Sequence, residues 1–155
     1  MTTIPADRAT TGFVDPADVP FASLRRPWGT TRMQLLSVSL ATNTFTNIIE
    51  WEAGTRLPKH HHTGSVHAFT LSGRWHYLEY EWAAGPGTYV FEPPGTNHTL
   101  EVLEDTRAMF VTQGAFIYVD QHDAVTGYSD AGTMLDECRR ALAEEGLILP
   151  ESILQ

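Results

Sequence analysis

The chain has 155 residues, 42% of them apolar and 19% charged, which describes one globular domain with room for a real core and excludes disorder. Its net charge is −9, and Arg25-Arg26 and Arg139-Arg140 are isolated basic pairs. Such a surface repels phosphate backbones, so nucleic acid and anionic membrane are excluded as partners. No apolar run approaches the roughly 18–20 residues of a membrane span. The first residues lack the basic and apolar regions of a secretory signal, and the single Cys138 permits no intrachain disulfide. A cytoplasmic protein is expected.

Residues 1–28 are polar and interrupted by Pro5, Pro16, Pro20 and Pro27. They predict an extended arm over a single domain of residues 1–155, with the arm at 1–30, a β-barrel at 31–120 and a C-terminal helix and tail at 121–155. "MQLLSVSL" (33–40) and "TFTNIIEWE" (44–52) read as strands. In "VHAFTLSGRWHYLEYEW" (66–82) a period of two puts His67, Phe69, Leu71, Trp75 and Tyr77 on the more apolar face, which should point inward. "YVFE" (89–92) is a short strand with Thr88, Val90 and Glu92 on one face and Tyr89 and Phe91 on the other. "HTLEVL" (98–103) and "RAMFVTQGAFIYVD" (107–120) supply the last strands. Short strands broken by Gly/Pro turns indicate an all-β barrel or sandwich. The one clear helix is "TMLDECRRALAEEG" (133–146), with Thr133 as its cap, an apolar stripe of Leu135, Cys138 and Leu142, and Gly146 as its stop.

Four of the seven histidines lie in "HHHTGSVH", residues 60–67. His60 and His62 are two apart, so on a strand they face the same way and can bind one metal as neighbours, while His61 faces the opposite side. His67 follows an odd interval later, but Thr63-Gly64-Ser65 can bend and reset the parity. His67 is then a ligand or an immediate partner of one. His98 follows the turn "EPPGTN" (92–97), which can return a distant ligand to the same interior. Histidines without cysteine suit one divalent transition metal, Fe, Zn, Ni or Cu, in preference to magnesium or calcium. Glu92 can orient a ligand imidazole or accept a substrate proton as a catalytic base. Phe69, Trp75, Tyr77, Phe91 and Phe110 can line a pocket for an aromatic ligand.

"GTRLPKHHHTGSVHAFTLSG" resembles the first cupin motif, through Gly54, His60, His62, the ligand position His67 and Gly73. "GTYVFEPPGTNH" resembles the second, through Gly87, Pro93, Gly95 and His98. The resemblance implies a double-stranded β-helix, a cupin jelly roll with its metal inside. His67 stands where many cupins have Glu, the interval from it to Gly73 is one residue short, and Val102 stands where Asn often ends the second motif. The segments around the histidines and "QGAFIYVD" (113–120) also resemble the 2,4′-dihydroxyacetophenone dioxygenase group, and acetylacetone-cleaving cupins work similarly. This implies non-haem Fe(II), with His60, His62 and His98 as ligands, and cleavage by O₂ of a carbon–carbon bond beside a ketone.

A set of imidazoles leaves the full dipositive charge on the metal, which favours an anionic, chelating ketone whose pKa falls on coordination. The expected partners are a small aromatic or dicarbonyl substrate and O₂, with a homodimer expected by analogy. Two other classes use the same ligands: a metal- or small-molecule-binding sensor without turnover, and a zinc or nickel isomerase or hydrolase.

Overall fold

The computed structural model describes residues 11–155, so the first ten residues of the expected arm lie outside the described residues. Ten strands follow in chain order: β1 (Ala22–Arg26), β2 (Gly29–Ser39), β3 (Thr44–Trp51), β4 (His60–His62), β5 (Val66–Tyr77), β6 (Tyr89–Glu92), β7 (Asn97–His98), β8 (Leu100–Gln113), β9 (Phe116–Val119) and β10 (Val125–Ser129). Their pairings are antiparallel. They form a six-stranded sheet in the order β1-β2-β3-β8-β5-β6 and a four-stranded sheet in the order β10-β9-β4-β7. Chain-adjacent strands repeatedly fall in different sheets, the crossing pattern of a jelly roll, and a C-terminal helix, α1 (Ala131–Glu144), completes it. The apolar inner faces meet in one core that contains Leu35, Phe45, Trp75 and Val102.

Part of the expected arm is structured differently. Residues 22–26 pair with β2 from Ala22–Met33 to Arg26–Gly29, because Ala22 and Leu24 alternate with polar neighbours and have a core to reach. The preceding segment lies on the outer face of the larger sheet, where Gln34 Nε2 donates to the carbonyls of Pro16 (2.7 Å) and Val19 (2.8 Å). β10, which the sequence reading did not include, pairs with β9.

The helix starts earlier than the pattern predicts. Asp130, not Thr133, is its cap: the Asp130 side chain accepts from Thr133 N at 2.9 Å, and Thr133 Oγ1 accepts from Asp130 N at 2.7 Å. Leu135, Cys138 and Leu142 are buried together with Met134. Burial pushes the Cys138 thiol up to about 12, which keeps it an inert packing residue.

Strand β5 breaks the single alternation expected of it. Val66, Ala68 and Thr70 are buried, then the pattern skips to Trp75 and Tyr77. The register with β8 shifts three times between Thr70 and Trp75, a bulged stretch that moves inward positions from even to odd numbers. Gly73 makes this possible. It has φ +80°, and a Cβ there would stand 2.1 Å from the Asp105 carbonyl oxygen. Thr106 Oγ1 accepts from Arg74 N at 3.0 Å and donates to the Glu104 carbonyl at 2.7 Å, which satisfies groups the ladder has lost. Gly73→Ala should therefore lower stability by more than ~2 kcal/mol through strain and a backbone clash. Denaturant unfolding checks this, and an unchanged midpoint would remove the bulge from its role.

Candidate metal centre

The three residues of β4 are held on both sides. His60 pairs with His98 of β7 and with Tyr118 of β9. The His62 amide donates to Thr96 O at 3.0 Å, and its carbonyl accepts from Gly95 N at 2.8 Å. Strand alternation turns His60 and His62 inward, 5% and 2% exposed, and turns His61 outward, where its Nδ1 donates to Asn97 Oδ1 at 3.0 Å. His98, 1% exposed, arrives through the turn after Glu92. One ring nitrogen of each of His60, His62 and His98 lies within 4.8 Å of the others. The Nε2 atoms of His62 and His98 are 2.8 Å apart.

Burial governs the charge of this group. Desolvation lowers the His60 pKa from the ordinary 6.5 to about 4, with neighbouring His98 acting in the same direction. Desolvation, reinforced by His60 and His98, takes His62 to about 2. Both rings are therefore neutral at physiological pH. His60 Nδ1–H donates to the Pro58 carbonyl at 2.9 Å, so its Nε2 carries the free lone pair, the tautomer a metal requires.

Glu92 faces the same point. It is 3% exposed, and its Oε2 lies 3.1 Å from His62 Nε2 and 3.5 Å from His98 Nε2. The Tyr77 hydroxyl donates to Glu92 Oε1. Burial, then the Glu92 charge, pushes that hydroxyl well above its ordinary 10.0, so it stays a donor. The Tyr77 ring also stacks on His98, with centroids 3.7 Å apart. A carboxylate oxygen and two imidazole nitrogens this close repel unless a proton or a cation lies among them. Three buried imidazoles with this charge demand fit a divalent transition metal. Glu92, a candidate base in the sequence, stands beside this group, while the histidines themselves come without a carboxylate in the motif position that His67 occupies.

His67 is not part of the group. After the bend at 63–65 Val66 takes the inward position, so His67 lies on the outer face of the larger sheet. There its Nδ1 is 2.6 Å from Tyr89 Oη, and its ring packs on Phe91. The same parity leaves Phe69 and Phe91 exposed and turns Val90 and Glu92 inward. Tyr77 and Phe110 do line a cavity of about 60 Å³ beside the histidines, with Phe116 and Tyr118 of β9, while Trp75 lies in the core behind. The sequence reading missed Phe116 and Tyr118, although alternation along "FIYV" would have placed one of its two faces against β4.

His62→Ala should abolish binding of one divalent ion, and His61→Ala should leave it intact, as measured by calorimetric titration of the metal-free protein. Equal losses would contradict the inward–outward geometry. The histidines also predict a pH dependence. Their folded values of about 4 and about 2 lie below the unfolded 6.5, so in that window the unfolded chain binds more protons. Stability is therefore unaffected by these groups above 6.5 and falls below it, at on the order of 1 kcal/mol per pH unit for each group, down to about 4 for His60 and about 2 for His62. Thermal unfolding of the metal-free protein across this range checks the sign, and His60→Gln should flatten the slope.

Solved structures resemble the chain over most of its length. An RmlC-like cupin protein from Ralstonia eutropha JMP134 is 25% identical, with a TM-score of 0.85 over 92% of this chain and 94% of its own. An acetylacetone dioxygenase from Acinetobacter johnsonii is 19% identical, with a TM-score of 0.80 over 91% of this chain and 99% of its own. The Rhodobacter sphaeroides complex of SigE with the anti-sigma ChrR matches at 18% identity and a TM-score of 0.51, over 61% of this chain and 50% of the other. No curated protein matches the chain. The family model described as the ChrR cupin-like domain matches residues 9–117, and with a jelly roll built around an inward three-histidine group, the chain belongs to that family.

Proposed function

We propose that the chain is a metal-dependent dioxygenase that cleaves a carbon–carbon bond beside a ketone, with Fe(II) held by His60, His62 and His98. The observation that carries this reading is the convergence of three buried imidazoles and a tyrosine-held carboxylate on one apolar cavity. Iron bound there supplies Lewis acidity towards a chelating ketone and a partner for O₂. Glu92 accepts the proton from the carbon between the ketone and its neighbouring oxygen function, which forms the enolate that O₂ attacks. Tyr77 keeps Glu92 aimed by donating to its other oxygen and fixes the plane of His98 by stacking. Phe110, Phe116 and Tyr118 exclude water from the enolate. The fold shared with the Acinetobacter acetylacetone dioxygenase is compatible with this chemistry.

A regulatory reading is favoured by one observation, the match to the ChrR cupin-like family together with the resemblance to a ChrR in complex with SigE. In that reading the same histidines bind a metal or ligand, there is no turnover, and the partner is a protein.

Anaerobic iron loading followed by O₂-electrode assays with hydroxyacetophenones and diketones separates the two. O₂ uptake that depends on the ketone supports the dioxygenase, and Glu92→Gln should then cut turnover by ~10²–10⁴-fold while iron is retained. Absence of uptake and of any spectral change across the panel would leave the regulatory reading.

A further inference from the structure

The wall opposite the histidines carries two polar side chains that the proposed chemistry leaves unused. Asn47 of β3 and Thr112 of β8 lie on the inner face of the larger sheet, 2% and 1% exposed, and both line the cavity. Their neighbours on that face are apolar: Asn47 pairs with Phe110, and Thr112 pairs with Phe45 and Val66. Asn47 Oδ1 and Thr112 Oγ1 have no hydrogen-bond partner. The Asn47 amide nitrogen has only the Met33 sulfur at 3.5 Å, a weak acceptor.

The other buried hydroxyls among the described residues are satisfied. Thr31 accepts from the Trp51 indole at 3.1 Å and Thr70 from the Trp75 indole at 2.9 Å. Thr106 is bonded within the bulge, and Ser129 bonds Tyr118. A buried polar atom without a partner destabilises the fold, and Val or Leu would fill either position without that penalty. Two such atoms on the same wall of the site cavity indicate a partner that arrives from outside.

We infer that Asn47 and Thr112 are positioning residues that hold a hydroxyl of the ligand against the wall formed by the larger sheet. A hydroxyl has the matching chemistry for these diagonal neighbours, since it can donate to Asn47 Oδ1 and accept from Thr112 Oγ1–H. The inference rests on the reading of the histidines as the anchor of a chelating ketone. It narrows the substrate to a small ketone with two oxygens for the metal and a further hydroxyl for the larger sheet.

The test uses the metal-loaded full chain without O₂, titrated calorimetrically with acetylacetone and with its terminal hydroxyl derivative. The wild type should bind the hydroxyl derivative about 10-fold more tightly, the gain of well-placed hydrogen bonds in a dry site. Thr112→Val and Asn47→Leu should each erase that preference while acetylacetone binding stays within ~2-fold. The metal-free Thr112→Val protein should melt no lower than wild type, since its hydroxyl bonds nothing in the folded chain. Equal affinities in the wild type, as when water alone fills the polar end, would overturn the inference, as would a preference that survives both substitutions. Failure of both diketones to bind the wild type would overturn the chelation reading along with it. If Asn47→Leu does not fold, the wild-type comparison and Thr112→Val decide.

Discussion

Protonating an imidazole in an apolar interior is costly, and the rest of this structure depends on that cost. His60, His62 and His98 are each less than a tenth exposed, and desolvation is the largest cause of the low pKa values of the first two. The same burial that would make isolated imidazoles a liability keeps their lone pairs available for a metal. Everything around them serves to keep them dry and aimed: the Pro58 carbonyl fixes one tautomer, Tyr77 braces one ring, and Phe116 packs edge-on against His62 at 4.7 Å.

Glu92 introduces a second constraint. A buried carboxylate needs compensation, and the Tyr77 hydroxyl satisfies only one of its oxygens. Glu92 belongs to the larger sheet and the histidines to the smaller one. The charge balance of the site therefore depends on the two sheets holding their distance and alignment, and the core packing of Trp75, Tyr77 and Phe110 maintains both.

The jelly roll and most of the centre were legible in the sequence. The i, i+2 spacing of His60 and His62 and the turn before His98 carry their own geometry, because strand alternation and a Gly/Pro turn act locally. His67 was not legible for a related reason. Its side depends on how 63–65 bend and on a bulge around Gly73, and neither leaves a period in the sequence. Trp75 and Tyr77 were expected inside on the same face as His67. They are inside because the bulge shifts the parity that His67 lacks. Asp130 was missed as a cap because Thr133, its capping-box partner, is also a good capping residue. Asn47 and Thr112 read as ordinary strand residues, since nothing local marks a polar atom that no neighbour will satisfy.

The smaller sheet is built from fragments: β4 has three residues, β7 two and β9 four. Strands this short contribute few ladder hydrogen bonds, and local opening of such regions costs less than global unfolding. The histidines sit on two adjacent members, His60 and His62 on β4 and His98 on β7. An ion bound there is a crosslink between strands as well as a reagent, joining segments 36 residues apart in the chain. Occupancy would then be written into the backbone as slower amide exchange in β4 and β7, so that the jelly roll's least self-sufficient face becomes the one that reports whether the centre is filled.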